Sequence, residues 1–296
     1  MPKKIDLMIV GAQKSGSTSL FRYLSEHPEF HAHRHSEMSF FMYDHEYREG
    51  YERAFSRYFG RFPAGKSVLL AKHAMAMYSG TALERIHRHN PDICIAVILR
   101  NPLDRAYSAY WYARRNGWED ALTFEDALDR EKARLREGWL KWRNSAYVFN
   151  GSYYPHVKRL YDTFGEGRVH VFLLEDLQKS PLDVCKALIY HFDVSADFDP
   201  SVAKRHNRGG MARSEGLARA FAWFIQPDNP VKNAVRTLTP DSLSYRLREG
   251  FLKLNEREFT PPPMDPGTRT RLAGHFRPLN CRLGELLGRD LAGWGV

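Results

Sequence analysis

Cysteine is scarce in this sequence: only three occur among the 296 residues, namely Cys94, Cys185 and Cys281. They are odd in number, far apart and without metal-ligand spacing, which excludes a disulfide framework and a cysteine zinc centre. We therefore expect three free thiols. Since free thiols are typical of a reducing compartment, the sequence predicts a cytoplasmic protein.

Long hydrophobic runs are also lacking. The longest uninterrupted apolar run is ICIAVIL at 93–99, far short of the roughly 20 residues that cross a bilayer. Near the amino terminus, the apolar stretch LMIVGA is too short for a signal-peptide core and leads directly into a turn. We expect no transmembrane helix and a fold that begins almost at Met1.

Acidic residues are too few to balance the basic ones, so the net charge is +9. This surplus favours anionic partners and leaves nucleic acid, an acidic membrane surface or a phosphorylated small molecule open. Mixed-charge helix faces such as 125–138 account for many of the basic residues. A basic nucleic-acid-binding protein is the non-enzymatic alternative. The sequence contains no helix-turn-helix signature, RNA-recognition motif or zinc knuckle, which counts against it.

Apolar runs alternate with amphipathic segments along the chain. Strands are predicted at 5–10, 67–72, 93–99 and 168–176. Helices are predicted at 18–25, 80–89, 103–117, from Pro181 with Ser180 as the cap, and at 265–288, where Pro278 implies a kink or two helices. The alternation predicts an α/β fold: a single domain over 1–296 with a central parallel β-sheet flanked by helices. Residues 226–263 are interpreted as an irregular insert and connector.

The segment GAQKSGST at 11–18 follows the first predicted strand and leads into a helix. Its glycines let backbone N–H groups converge on an anion, and the helix adds its positive amino-terminal end, so we expect a phosphate-binding loop. The candidate ligands for the anion are Lys14, Ser15, Gly16, Ser17 and Thr18. A nucleotide triphosphatase loop has lysine directly before the hydroxyl residue. Here that position is Ser17, which disfavours the enzymatic alternative, a P-loop-type kinase using ATP.

The displaced lysine makes GAQKSGSTSLFRYLSEHP resemble the 5′-phosphosulfate loop of the sulfotransferases that use 3′-phosphoadenosine-5′-phosphosulfate (PAPS). The segment RNPLDRAYSAY at 100–110 is similar to the 3′-phosphate motif of that superfamily, with Arg100 and Ser108 at the two binding positions. An arginine fork pairs well with a phosphate dianion. The late loop RHNRGG at 205–210 is similar to the loop that, in this superfamily, covers the nucleotide and its 3′-phosphate. The resemblance implies that Arg208 and Gly209 bind the nucleotide.

Within this superfamily the sequence is closest in style to the heparan sulfate sulfotransferases and their bacterial relatives. The resemblance implies that Glu37 in SEMSFF is the general base and that Lys72 is a second catalytic lysine. Ser39 stands where those enzymes often carry histidine. His73 lies one place out of register with the histidine base of small-molecule sulfotransferases and is the weaker candidate base. The alternative for Glu37 is an ordinary loop carboxylate paired with Arg34.

Three alternating histidines, His31, His33 and His35, would share one face of an extended segment and so raise the possibility of zinc. No carboxylate or cysteine stands at convincing ligand spacing, and sulfuryl transfer needs no metal, so we predict no metal site. The resemblance implies PAPS as donor substrate and adenosine 3′,5′-bisphosphate as product. The expected acceptor is a hydroxyl group, less favourably an amine, of a glycan, glycolipid or small-molecule natural product. Nucleic acid and a membrane span are not expected.

Overall fold

The structure is a computed structural model that describes residues 2–195, 197–200, 210–224, 250 and 256–295. These residues group into two compact units, which are described separately. The first comprises Met1–Arg105, Asn150–His206 and Ala273–Val296, and the second comprises Ala106–Phe149 and Asn207–Leu272. The extent of the domain, expected over 1–296, stays a prediction, and most of the expected insert at 226–263 lies outside the described residues.

A five-stranded parallel sheet forms the centre of the first unit. Its strands are β1 (Leu7–Gly11), β2 (Phe30–Ala32), β3 (Val68–Lys72), β4 (Cys94–Leu99) and β5 (Val169–Leu173), in the spatial order β2-β3-β1-β4-β5. Every pairing is parallel, and Leu7 of β1 lies opposite both Leu70 and Cys94. All residues of β1, β3 and β4 are buried, as expected for a sheet covered on both faces. The predicted α/β fold with a central parallel sheet is confirmed.

Twelve helices lie in the described residues. They are α1 (Ser17–Ser25), α2 (Asp44–Arg48), α3 (Tyr51–Tyr58), α4 (Gly80–His89), α5 (Pro102–Arg115), α6 (Phe124–Arg134), α7 (Trp139–Trp142), α8 (Tyr153–Phe164), α9 (Leu174–Lys179), α10 (Pro181–Ile189), α11 (Glu215–Phe224) and α12 (Pro266–Leu287). Helices α1 and α10 bury apolar faces against the sheet, including Leu20, Leu24 and Leu188. Side-chain caps start α4 and α10: the Ser79 hydroxyl accepts from Ala82 N–H, and the Ser180 hydroxyl accepts from Asp183 N–H.

The strand order determines where a ligand can bind in the first unit. From β1 the chain moves to one side for β2 and β3 and to the other side for β4 and β5. The carboxyl ends of β1, β3 and β4 therefore flank the point where the strand order reverses. In open parallel sheets, ligands bind in the crevice at that point.

A buried carboxylate joins three segments of the second unit. Glu119 is 2% exposed and accepts hydrogen bonds from both terminal nitrogens of Arg134, at 2.5 and 2.7 Å, and from the Tyr147 hydroxyl at 2.7 Å. The helix expected at 125–138 is α6, which ends at Arg134 and continues as a 3₁₀ turn, Leu135–Glu137. Strands β6 (Gly210–Ala212) and β7 (Glu256–Glu258) form a separate antiparallel pair.

Three sequence predictions of secondary structure need correction. The strand predicted to end at 176 ends at Leu173, because the Asp176 carboxylate accepts from the N–H of Leu173 and starts helix α9. The short edge strand β2 was not predicted, since its sequence FHA is neither long nor continuously apolar. Helix α12 continues through Pro278, so the alternative of two separate helices is wrong. Phe276 and Leu283, both completely buried, anchor the helix on either side of the proline and offset the lost hydrogen bond.

The cysteines are free thiols, as predicted. Cys94 and Cys185 are buried and Cys281 is exposed. Burial raises the pKa of both buried thiols to about 12, so they remain protonated and unreactive at neutral pH. No helix among the described residues is long and apolar enough to cross a membrane.

Lowering the pH from 7 to 5 is expected to destabilise the fold by roughly 2 kcal/mol through His89. The His89 imidazole accepts a hydrogen bond from Ile5 N–H just before β1, at 3.1 Å, and burial lowers its pKa from 6.5 to about 4. Between these pKa values the unfolded chain binds more protons than the folded one, so stability falls as the pH drops from 6.5 towards 4. Urea unfolding at pH 7 and pH 5 measures this loss.

His89→Gln is the matched variant for this measurement, because glutamine offers an acceptor to Ile5 N–H and does not titrate. The difference in unfolding free energy between pH 7 and pH 5 should shrink by roughly 2 kcal/mol in the variant. An equal acid loss in both proteins would assign the effect to other histidines.

Candidate active site

The loop between β1 and α1 has the backbone expected of an anion-binding segment. Lys14 and Gly16 both adopt positive φ angles, 67° and 100°. Ala12 N–H donates to the Ile98 carbonyl of β4 at 2.8 Å, which ties the loop to the neighbouring strand. The Leu174 and Leu177 side chains would lie only 3.0 and 3.3 Å from a Cβ added at Gly16. Both the conformation and the available space therefore favour glycine there.

Helix α1 starts directly after this loop, one residue earlier than predicted. Gly16 is its N-cap residue and has no side chain with which to cap the first N–H groups. Ser15 and Ser17 are buried, whereas Lys14, Gly16 and Thr18 are partly exposed. The five predicted ligand positions thus form one continuous segment at a helix amino terminus, where N–H groups and the helix dipole favour an anion.

Lys72, the last residue of β3, forms an ion pair with Glu37. Its Nζ lies 2.6 Å from Glu37 Oε1 and 3.5 Å from the Thr18 hydroxyl oxygen in α1. The second carboxylate oxygen of Glu37 accepts from Ala74 N–H at 3.0 Å. The Lys72 side chain is 2% exposed and that of Glu37 is 33% exposed. The carboxylate therefore keeps one side open to solvent while its partner is buried.

His33 holds the backbone of Lys72 through a hydrogen bond, a role that the sequence did not indicate. Its Nε2 accepts from the backbone N–H of Lys72 at 3.1 Å, and Met38 N–H donates to the Lys72 carbonyl at 2.8 Å. Burial, together with the nearby Lys72 charge, holds the pKa of His33 well below its ordinary value. The imidazole is therefore neutral at physiological pH, and the end of β3 is fixed by two segments.

The alternating histidines do not converge on one point. Nε2 of His31 bonds to the Phe59 carbonyl at 3.1 Å, and Nε2 of His35 bonds to the Arg57 carbonyl at 3.3 Å. Within the part of the chain that the structure describes, no group of three or more histidine, cysteine or acidic side chains could hold a metal ion.

His73 follows Lys72 and is 7% exposed. Its backbone N–H donates to the Ile9 carbonyl of β1 at 2.9 Å, and its Nδ1 accepts from Met75 N–H at 3.3 Å. A neutral imidazole has one donor and one acceptor nitrogen. Because Nδ1 is the acceptor, Nε2 carries the proton.

Arg100 directly follows β4 and extends towards the loop after β1. Its Nη1 donates to the Lys14 carbonyl at 3.4 Å, and its own carbonyl accepts from the Tyr153 hydroxyl at 2.9 Å. The first unit thus brings together the 14–18 loop, Glu37, Lys72, His73 and Arg100. Ser108 belongs to the second unit, where it is partly exposed on α5. Arg208 and Gly209 lie outside the described residues.

Comparison with known proteins shows the family to which the chain is similar. Residues 4–204 match the family of the sulfotransferase domain. The bifunctional heparan sulfate N-deacetylase/N-sulfotransferase 1 of Caenorhabditis briggsae is 24% identical over 84% of this chain and 31% of its own length. N-deacetylase/N-sulfotransferase 3 of Homo sapiens is 26% identical over 97% of this chain and 30% of its own length. The chain therefore spans about three tenths of these relatives.

Among solved structures, the sulfotransferase from Alicyclobacillus acidocaldarius superimposes with a TM-score of 0.70 at 26% identity. The match covers 100% of both chains. The family match covers well over half of the sequence and includes all five strands of the central sheet. The chain belongs to the sulfotransferase domain family.

Proposed function

We propose that the protein transfers a sulfuryl group from PAPS to a hydroxyl group of a glycan, glycolipid or small-molecule natural product. The observation that carries this proposal is the position of the Lys72 ammonium group. It lies 2.6 Å from the Glu37 carboxylate and 3.5 Å from the Thr18 hydroxyl of the anion-binding segment. A candidate base and a candidate donor site are thereby linked through one buried cation.

The donor is assigned from the anion-binding groups of the first unit. The 14–18 loop and the amino terminus of α1 suit the 5′-phosphosulfate, because they offer backbone N–H groups and a lysine. Arg100 suits the 3′-phosphate, because a guanidinium fork pairs with phosphate oxygens. In this structure the Arg100 guanidinium lies next to the Lys14 carbonyl. Sequence resemblance alone assigns Ser108, Arg208 and Gly209 to recognition of the 3′-phosphate.

Glu37 is the proposed general base. Both of its oxygens already accept one hydrogen bond, yet each carboxylate oxygen has a second lone pair, and one third of the side chain is exposed. His73 suits this role less well. Its unprotonated nitrogen, Nδ1, is occupied by Met75 N–H, and the side chain is buried.

In the proposed reaction, Glu37 removes the proton of the acceptor hydroxyl as its oxygen attacks sulfur. The new oxygen–sulfur bond forms while the bond from sulfur to the phosphate oxygen breaks in line. Adenosine 3′,5′-bisphosphate leaves with the electron pair of the broken bond. Lys14, assisted by Lys72, stabilises the negative charge that grows on the bridging oxygen and on the transferring group.

The acceptor is proposed more broadly than the donor. The net charge of +9 favours an anionic acceptor such as a glycan or glycolipid. The names of the heparan sulfate relatives include an N-sulfotransferase activity, which supports an amine as the second acceptor class. An acceptor screen with radiolabelled PAPS should therefore include N-desulfated and O-desulfated heparin, glycolipids and simple phenols.

Calorimetric titration of the purified protein tests the donor site. We expect adenosine 3′,5′-bisphosphate to bind tightly in metal-free buffer at moderate salt, because arginine, lysine and backbone donors neutralise its phosphates without a cation. ATP with magnesium, titrated in parallel, should bind more weakly. Preference for ATP with magnesium would contradict the proposed donor, and failure of both ligands to bind would remove support for a nucleotide site.

A further inference from the structure

Arg100 is held in place by three residues that the proposed reaction does not use. We propose that Asn101 and Tyr153, both anchored on Trp294, are positioning residues for the 3′-phosphate ligand Arg100. This inference rests on the proposed function, since it assumes that Arg100 binds the 3′-phosphate of the donor. Trp294 ends a 3₁₀ turn, Ala292–Trp294, which is called the 292–294 turn below.

The first contact fixes the backbone after Arg100. Asn101 is 9% exposed, and its side-chain NH₂ donates to the Trp294 carbonyl at 2.6 Å. Its side-chain oxygen accepts from Leu103 N–H at 3.0 Å in the first turn of α5. One side chain therefore ties the turn after β4 both to the start of a helix and to the 292–294 turn.

The second contact fixes the carbonyl of Arg100 itself. Tyr153, at the start of α8, is completely buried and donates its hydroxyl proton to that carbonyl at 2.9 Å. Its ring lies edge-on to the Trp294 indole, with the ring centres 6.2 Å apart. Because the Arg100 carbonyl and the side chain of the next residue are both held by hydrogen bonds, the backbone from which the guanidinium extends is restrained.

The 292–294 turn is anchored in turn by α9. Trp294 is 4% exposed, and its indole N–H donates to Glu175 Oε1 at 3.2 Å. Arg289 forms two hydrogen bonds with the Asp176 carboxylate, at 2.8 and 3.1 Å. This ion pair holds the pKa of the Asp176 carboxyl below its ordinary value, so it persists at neutral pH.

Helix α9 also lies against the loop that binds the phosphosulfate in the proposed function. Its residues Leu174 and Leu177 come within 3.0 and 3.3 Å of a Cβ added at Gly16. The 292–294 turn thus braces Arg100 through Asn101 and Tyr153, and it lies against α9, which packs on the 14–18 loop. A bidentate arginine–phosphate pair depends on geometry, so a looser Arg100 backbone should weaken recognition of the 3′-phosphate in particular.

The test compares two ligands that differ only in the 3′-phosphate, adenosine 3′,5′-bisphosphate and adenosine 5′-monophosphate, by displacement calorimetry. Tyr153→Phe removes the hydroxyl that bonds to the Arg100 carbonyl and keeps the ring. Asn101→Ser keeps an acceptor for the start of α5 but is too short to reach Trp294. Each variant should bind the bisphosphate about tenfold more weakly and the monophosphate within about twofold of the original protein.

Tyr78→Phe is the matched control. Tyr78 is a buried tyrosine whose hydroxyl donates to the Asn150 carbonyl at 3.0 Å, so this change also removes one buried hydrogen bond to the backbone. It should leave the affinity ratio of the two ligands unchanged. Equal weakening of both ligands in Tyr153→Phe and Asn101→Ser, or no weakening of either, would overturn the positioning role.

Failure of the proposed function gives a different result from failure of the positioning role. If the unaltered protein binds the two ligands with equal affinity, it has no site for a 3′-phosphate, and both proposals fall. If the unaltered protein prefers the bisphosphate and the preference survives in both variants, only the positioning role falls.

Discussion

Replacing Glu37 by glutamine is expected to lower kcat by about 10²–10⁴-fold, because an amide cannot remove the proton of the acceptor hydroxyl. Glutamine has the same shape and still offers an oxygen to Ala74 N–H, so the loop that carries it should keep its position. Affinity for adenosine 3′,5′-bisphosphate should stay within about threefold. Initial rates of sulfuryl transfer from radiolabelled PAPS to the acceptor found in the screen measure the change, alongside calorimetric binding.

The matched control for this prediction is Glu46→Gln. Glu46 is also a partly buried glutamate with a cationic neighbour, since it accepts from the Tyr58 hydroxyl at 2.8 Å and lies 3.7 Å from Arg57. Its loss should alter stability but change kcat by no more than about twofold. Near-normal turnover in Glu37→Gln, together with loss of turnover in His73→Ala, would make His73 the base instead.

Removing the Glu37 charge also tests the ion pair as a structural element. The Lys72 ammonium is almost fully buried, and a buried cation that loses its partner destabilises a fold. Thermal unfolding of Glu37→Gln should therefore begin at a lower temperature than that of Glu46→Gln. Turnover is to be compared well below both transitions, so that loss of the base and loss of folded protein are not confused.

The central sheet and the glycine-containing loop between β1 and α1 were predictable because their signals are local. Strands β1, β3 and β4 are continuous apolar runs, and parallel strands buried on both faces have this pattern. The loop between β1 and α1 is indicated by glycines that permit a positive φ, as at Gly16. Both signals lie within a few neighbouring residues, so tertiary context was not needed to read them.

The contacts that organise the site were not predictable, because they join distant parts of the chain. The Tyr153 hydroxyl reaches a carbonyl 53 positions away, and the Asn101 side chain reaches one 193 positions away. The sequence raises His33 as a possible metal ligand, whereas in the structure it accepts a hydrogen bond from the backbone of Lys72. Neither periodicity nor composition reports which buried polar groups will pair across a fold.

The ion-pair partner of Glu37 could not be predicted from the sequence either. Its position in SEMSFF suggested a base by resemblance, but the cationic partner that the sequence offered was Arg34, which is near it in the chain. In the structure the partner is Lys72, 35 positions away. The pairing depends on β2 and β3 lying side by side, and β2 is too short to be recognised from its own residues.

Replacing Lys14 by methionine is expected to lower kcat by about 10²–10³-fold while weakening PAPS binding by no more than about threefold. The negative charge on the bridging oxygen grows only as the sulfuryl group leaves, so a lysine that neutralises it stabilises the transition state more than bound PAPS. Methionine keeps the length of the side chain, and like lysine it must accept the positive φ at this position. Turnover and calorimetry on the same preparations separate the two effects.

Lys179→Met is the control for a general loss of positive charge, because Lys179 is an exposed lysine at the end of α9. It should change neither kcat nor PAPS affinity by more than about twofold. Equal losses of kcat and affinity in Lys14→Met would identify Lys14 as a simple anchor for the phosphates. In that case Lys72, already placed between the base and the donor loop, would be the cation that stabilises the leaving group.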